Sequence, residues 1–497
     1  MLKLAFVFTD SMVLQRDKEI RVWGNCDKGA EVIGTLRGVT VKTVSEDGAF
    51  MLRFPPFDAG KGFELCVKSG NEEIVLKDVA VGEVWIAAGQ SNMEMPLAVS
   101  KNGMFELQFH KNDDVRYITV ARRHVEGQDC WGWPFISQKA CDTPWKIAGG
   151  TVGRELSAVA YTFAKRVSEQ ENVPVGIIAC NWGGTSIFCW LSRKDMEEDP
   201  DVAPYVKEHF DKMDSMNPDE YRAFNKEFLD DMELNGPMHP NGQGYSFVGF
   251  KTNPEFFTCY GRLYETMFKT ICPYGAKGVL WYQGETDAID EAYSYDRYMA
   301  GLKLLRNTWM RDLKDDSLVF ITTVLPMHGA EDKFNHCYIR QVFIDFEKQN
   351  ENVYAINAVD CGEKNNVHPF EKQAIGERMA GCALAECYGH DVLWRFPEFE
   401  KAYIKDNAVY VEFNNAYGDL IGDNVAIKGF EVETDEGWKP FTFVAKDNLA
   451  WSKEPIENAK KVRFLQRNYM HPHLYNRLGL PAMPFMEKEL NKWRKGK

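Results

Sequence analysis

A serine at the end of an apolar run, a glycine pair, a glutamine and a histidine are the residues of this chain whose types and spacing suit acyl transfer. Ser91 stands in Gly89-Gln90-Ser91-Asn92, directly after Val84-Trp85-Ile86-Ala87-Ala88. A serine hydroxyl is a weak nucleophile by itself, so it needs a base, an anion-stabilising pocket and a fold that brings them together. His368, followed by Pro369, is the candidate base. Proline suits a first helical turn, which predicts a rigid loop-helix junction, with a helix beginning near Pro369 and running through Ile375, Met379 and Cys382. Gly183-Gly184 would let backbone N–H groups approach an oxyanion with no Cβ in the way, and the Gln283 amide would add a neutral donor.

The elements that must position these residues are legible as buried strands. Apolar runs at Val173-Pro174-Val175-Gly176-Ile177-Ile178-Ala179-Cys180, Gly278-Val279-Leu280-Trp281-Tyr282, Leu318 to Val324 and Val353 to Val359 follow the run ahead of Ser91, and Ser157 to Glu171 has apolar residues at helical spacing. Alternating strands and helices predict an α/β core with a parallel sheet and helices on both faces. Ligands of such sheets bind outside the carboxyl ends of the strands. The corners found there are Gly89-Gln90-Ser91-Asn92, Asn181-Trp182-Gly183-Gly184-Thr185-Ser186, Gln283-Gly284-Glu285-Thr286-Asp287, and Asp360 with Asn365-Asn366-Val367-His368-Pro369 behind it.

Length and pattern divide the 497 residues into an N-terminal β domain (1–80), the α/β core (81–390) and a C-terminal β domain (391–497). Two insertions are expected in the core: a Trp- and Gly-rich loop excursion at about 101–150 and an acidic, helix-like stretch at about 195–250. A net charge of −14 argues against nucleic acid, whose phosphates need clustered Lys and Arg. No apolar stretch approaches the ~20 residues a membrane span needs. Twelve scattered cysteines form no framework and read as reduced thiols, which favours the cytoplasm, or the periplasm or exterior if a leader has been removed. No metal motif is present, and His471-Pro472-His473 reads as a loop pair. Oligomeric state has no signature.

Each candidate has a plainer reading. Ser91 could cap a helix; Gly183-Gly184 could be a turn, and Gln283-Gly284-Glu285 a solvated strand end. Glu285 could be one of a glycosidase's paired carboxylates, but a support for the Ser91 or Gln283 loop is the better reading. Trp131, Trp133, Trp182 and Trp190 could stack on a sugar, although aromatics more often fill cores. His239-Pro240 repeats the dipeptide of His368 without a strand before it.

Taken together, the blocks resemble the sialate O-acetylesterase family of the SGNH hydrolase superfamily. The resemblance rests on Asp10-Ser11-Met12-Val13-Leu14-Gln15-Arg16, Gly82-Glu83-Val84-Trp85 with Gly89-Gln90-Ser91-Asn92-Met93, Asn181-Trp182-Gly183-Gly184-Thr185, Trp281-Tyr282-Gln283-Gly284-Glu285, His368-Pro369 with Lys372-Gln373, and the C-terminal Leu474-Tyr475-Asn476, Gly479-Leu480-Pro481-Ala482 and Pro484-Phe485, in the family's order. It implies a flavodoxin-like three-layer α/β/α core with sandwich-like β flanks. It also implies Ser91 as nucleophile, His368 as base, and an oxyanion hole from the Ser91 N–H, Gly183 or Gly184, and Gln283. Asn92 and Glu285 would support this centre. The implied reaction is removal of acetyl groups from sugar hydroxyls through an acetyl-serine, with an acetylated sugar as partner and no cofactor. Sialate is the first expected substrate; an acetylxylan-type esterase and a carbohydrate-binding homologue without efficient turnover are the alternatives.

The chain departs from the family at one point. Many relatives carry an aspartate two or three residues before the histidine, where this chain has Asn366 and Asn365. In a serine protease triad, Asp→Asn lowers turnover about 10⁴-fold through the wrong tautomer. Asn366, Asn365, Asp360 and Glu363 are therefore the candidates for orienting His368.

Overall fold

The strand ahead of Ser91 begins well upstream of its apolar run. Glu72–Gly89 is one strand of 18 residues, partly exposed as far as Asp78 and buried from Val79 onward. Its first half, as far as Val81, pairs antiparallel with Gly60–Ser69, and Ala80, Val81 and Gly82 at its middle pair in parallel with Val13–Gln15. Its second half pairs in parallel with Val175–Asn181 and with Gly278–Tyr282. The boundary expected at residue 80 thus falls inside a strand shared by the N-terminal β segment and the parallel sheet. The strand ends at Gly89, whose φ of +136° and closeness to the next strand admit no side chain, since a Cβ there would lie 2.1 Å from the Tyr282 carbonyl oxygen.

The computed structural model describes residues 1–109, 112–122, 143–235, 252–288, 291–329, 336–422 and 426–492. It divides into two compact units: Met1–Gln283 with Ala300–Phe320, and Gly284–Met299 with Ile321–Lys497.

In the first unit, Val115–Thr119 pairs in parallel with Val175–Asn181, and Lys146–Ile147 closes that edge antiparallel. A core strand therefore lies where a loop excursion was expected. Its apolar pattern is broken by Arg116, a buried cation that donates to the carbonyls of Ser11 and Asp78 and to the Asp78 carboxylate. The helix Ala158–Glu171 starts where the sequence places it, because Ser157 caps it by accepting the Ala160 N–H at 3.2 Å. The acidic insertion is helical at Arg193–Glu198, Ala203–Asp214 and Pro218–Asn235. Trp131, Trp133 and His239 lie outside the described residues.

The second unit holds Val353–Asn357, the helices His336–Gln349 and Gln373–Tyr388, and an eight-stranded C-terminal sheet that includes Ala408–Asn414, Ile427–Thr434 and Gly437–Lys446. The alternation read from the sequence survives in Ala408–Asn414, where every second side chain is buried. The helix after His368 starts at Gln373 instead of near Pro369. Lys372, with its side chain wholly buried, turns its ammonium back to donate to the Pro369 carbonyl at 2.6 Å, so these residues form a closed turn ahead of the helix. The ten described cysteines are free thiols. Among the described residues no helix is long and apolar enough to cross a membrane.

Candidate active site

Parallel register brings three polar corners to one level. Gly89 lies opposite Asn181 on one side and opposite Tyr282 on the other. The segments that follow, Gln90-Ser91, Trp182-Gly183-Gly184 and Gln283, therefore leave the sheet side by side. Backbone bonds fix their starts: the Gln90 N–H donates to the Tyr282 carbonyl at 3.1 Å and the Trp182 N–H to the Gly89 carbonyl at 3.0 Å.

Ser91 opens a single helical turn, Ser91–Glu94, in which Ser91, Asn92 and Glu94 are all buried. Gly183 packs directly on the serine, for a Cβ at Gly183 would lie 3.0 Å from Ser91 Cβ. The Gly183 N–H itself donates to Glu94 Oε2 at 2.7 Å. Gly184 is half-buried, has φ +73°, and its N–H has no acceptor among the described residues. Of the glycine pair, it is Gly184 whose donor is free for an anion.

The Gln283 amide is fully buried and donates both its hydrogens within the protein, to Gln90 Oε1 at 3.0 Å and to the Thr185 carbonyl at 2.9 Å. A carbonyl can only accept, so the assignment of nitrogen at this position follows from Thr185. Gln283 thus ties the serine corner to the glycine corner. Glu94 also pairs with Arg122 Nη1 at 2.9 Å. Burial pushes the Glu94 carboxyl above its ordinary value, while Arg122 and the Gly183 N–H oppose that shift.

The second unit carries the histidine. His368 sits half-buried in a loop whose bracing is explicit: Asn366 Oδ1 accepts the His368 backbone N–H at 3.0 Å, Asn366 Nδ2 donates to Glu363 Oε2 at 3.2 Å, and the Phe370 N–H donates to Glu363 Oε1 at 2.9 Å. Asp360 is held by Arg378 in a two-pronged pair at 2.6 and 2.7 Å. Asn365 is exposed. Among the described residues, none of Asp360, Glu363, Asn365 and Asn366 bonds the His368 ring; Glu363 and Asn366 shape the loop, and Asp360 secures the turn before it. Glu285, buried in the turn Glu285–Asp287, supports the charge of Lys372, whose pKa burial lowers to about 7. Burial, then Lys372, then His328 lower the His368 pKa to about 4.

Asn366→Asp would set a second carboxylate against Glu363 in place of a donor. It is expected to cost about 1–2 kcal/mol of stability with no gain in turnover. Urea unfolding and an ester assay on the same preparation check this; a rise in kcat would show that the new carboxylate reaches the imidazole.

Trp182 stacks flat on Phe257 with centroids 4.6 Å apart, and Trp190 donates to Thr185 Oγ1 at 3.1 Å; both are buried, so the sugar-stacking reading gives way to core packing. Sequence reasoning passed over Glu94 and Arg122. Glu94 carried a signal, being a lone carboxylate among Met93, Met95 and Leu97, three residues after the serine. Arg122 carried none.

The carbohydrate esterase, sialic acid-specific acetylesterase family matches residues 81–210 and 249–388, which include Ser91, Gly183, Gly184, Gln283, Glu285 and His368. The sialate O-acetylesterases of Pongo abelii and Homo sapiens are each 24% identical over 426 residues, spanning 78% of this chain and 71% of theirs. A crystal structure of a carbohydrate acetylesterase from Xanthomonas citri has a TM-score of 0.76 at 24% identity, covering 97% of this chain and 98% of that one. That likeness establishes a common fold.

Proposed function

Since the chain belongs to the carbohydrate esterase, sialic acid-specific acetylesterase family, whose matched segments take in more than half of its residues, we propose that it removes acetyl groups from sugar hydroxyls, sialic acid first among them. Ser91 Oγ attacks the acetyl carbonyl as His368 takes its proton. The oxyanion is held by the N–H groups of Ser91 and Gly184. His368 returns the proton to the departing sugar oxygen, and then activates the water that hydrolyses the acetyl-serine to acetate. The observation that carries this reading is the register that sets Gly89, Asn181 and Tyr282 level, so that the serine and the glycine pair share one corner.

A fluorophosphonate should label Ser91 of the folded protein, and no adduct would overturn the mechanism. The engagement of Asp360, Glu363 and Asn366 elsewhere favours, as a second reading, sugar binding without efficient turnover. Folded protein that binds acetylated sugar but resists the label would establish it. Rates on O-acetylated sialic acids compared with acetylated xylan separate the two substrate classes.

The low pKa of His368 sets the expected pH profile. A general base must be neutral, so activity is lost as pH falls through its folded-state pKa. The acid limb of kcat/KM is therefore expected at about pH 4, with a plateau through pH 6. A limb near the ordinary histidine value of about 6.5 would show an unperturbed base.

A further inference from the structure

We propose that the buried Glu94–Arg122 pair is the positioning device of the oxyanion pocket: by accepting the Gly183 N–H, Glu94 turns the corner so that Gly184 presents its N–H to the anion. The inference rests on the reading of Ser91 as the nucleophile and adds to it two residues that touch neither the ester nor the serine's proton. Glu94 is one helical turn beyond Ser91. One of its oxygens holds Gly183 at 2.7 Å and the other pairs with Arg122 at 2.9 Å. Arg122 Nε donates in turn to the Asn181 carbonyl at 3.1 Å, and Asn181 Nδ2 donates to the Ala87 carbonyl at 3.1 Å. The pair thus joins the ends of two neighbouring strands to the serine's own turn.

Stability alone does not explain the pair. A buried ion pair is commonly no more stabilising than apolar residues of the same volume, because desolvation offsets the attraction. What it supplies is direction. An N–H locked onto a buried carboxylate fixes the orientation of the Trp182–Gly183 peptide, and with it the peptide that follows. A Gly183 N–H left to itself would compete for the oxyanion from a position already filled by the packing of Gly183 on Ser91.

The test uses the full chain and an acetylated chromogenic ester, with phenylboronic acid as a probe that binds the serine as a tetrahedral anion. Glu94→Gln should lower kcat about 10²-fold, the scale of a displaced oxyanion donor, with KM within about threefold of the wild type. The boronate Ki should rise in step with the loss in kcat. Arg122→Lys keeps the charge but loses the fork onto Asn181, and should show the same pattern at about tenfold. If Glu94→Gln does not melt cooperatively, Arg122→Lys decides by the same criteria. A folded variant with kcat and boronate Ki within about threefold of the wild type, or with its loss confined to KM, overturns the proposal. Failure of fluorophosphonate to label wild-type Ser91 would sink the esterase reading and this inference with it, whereas a labelled wild type beside an unaffected Glu94→Gln sinks this inference alone.

Discussion

Ser91→Ala is expected to lower kcat for an acetyl ester by a factor on the order of 10⁴ or more and to leave the melting temperature nearly unchanged. The two halves of this expectation have separate physical sources. Removing Oγ removes the atom that forms the acetyl-enzyme, and the remaining N–H donors can only assist direct attack by water. The corner's backbone and glutamine bonds do not run through the hydroxyl. The corner takes its shape from the Gln90 N–H on the Tyr282 carbonyl, from Gln283 bridging Gln90 and Thr185, and from the Met95 N–H on the Ser91 carbonyl at 2.9 Å, a bond that alanine retains. His368→Ala should reach a similar depth, and Ser91→Ala/His368→Ala should be no slower than either single variant, because a nucleophile and its base act as a unit. Initial rates paired with melting curves check all three. Activity retained in Ser91→Ala would place the nucleophile elsewhere, and additive losses would separate the two residues.

The candidate site was readable where chemistry follows a strand. Ser91, Gly183, Gly184 and Gln283 each come directly after an apolar run, and parallel pairing carries that order in sequence into nearness in space. What could not be read was the partnering of polar atoms. The type of Gln283 says that it has donors, but its spending of both on Gln90 and Thr185 depends on where those loops lie. Glu94 stands out as a lone carboxylate in an apolar stretch, but Arg122 looks like a surface charge in the sequence, and only the fold buries the two together.

The same limit applied to the fold. Val115–Thr119 was hidden by Arg116, whose guanidinium is satisfied by carbonyls from the distant Ser11 and Asp78. The helix after His368 was placed four residues early because proline chemistry is local, whereas the burial of Lys372 is a tertiary effect. Strong alternation, by contrast, survives without help from afar. Ala408–Asn414 forms as its pattern states, since every second side chain has a face to bury whatever its partners are.

The largest stability effect is expected at a residue with no part in the chemistry. Arg340, on the helix His336–Gln349, is fully buried, and its guanidinium donates to four backbone carbonyls, those of Leu325 at 2.8 Å, Pro326 at 3.0 Å, Arg467 at 2.8 Å and Asn468 at 3.0 Å. Burial lowers its pKa to about 10, which leaves it charged at neutral pH. Arg340→Met fills a similar volume but strands four acceptors in the interior. Each unmade bond costs about 1–3 kcal/mol, and partial relaxation should hold the total to about 3–5 kcal/mol. That is a large share of the 5–15 kcal/mol by which domains are typically stable. Urea unfolding followed by tryptophan fluorescence should show the midpoint fall, with Arg340→Lys intermediate, because an ammonium reaches fewer of the four carbonyls. The loss should extend to turnover. The segment that Arg340 pins continues to His328, whose N–H donates to Asn468 at 3.0 Å, and to Gly329, whose N–H donates to Lys364 in the loop that carries His368. A variant whose midpoint is unchanged would show that those carbonyls find other donors, and a variant that is destabilised yet fully active in the cold would show that the histidine loop holds its shape without them.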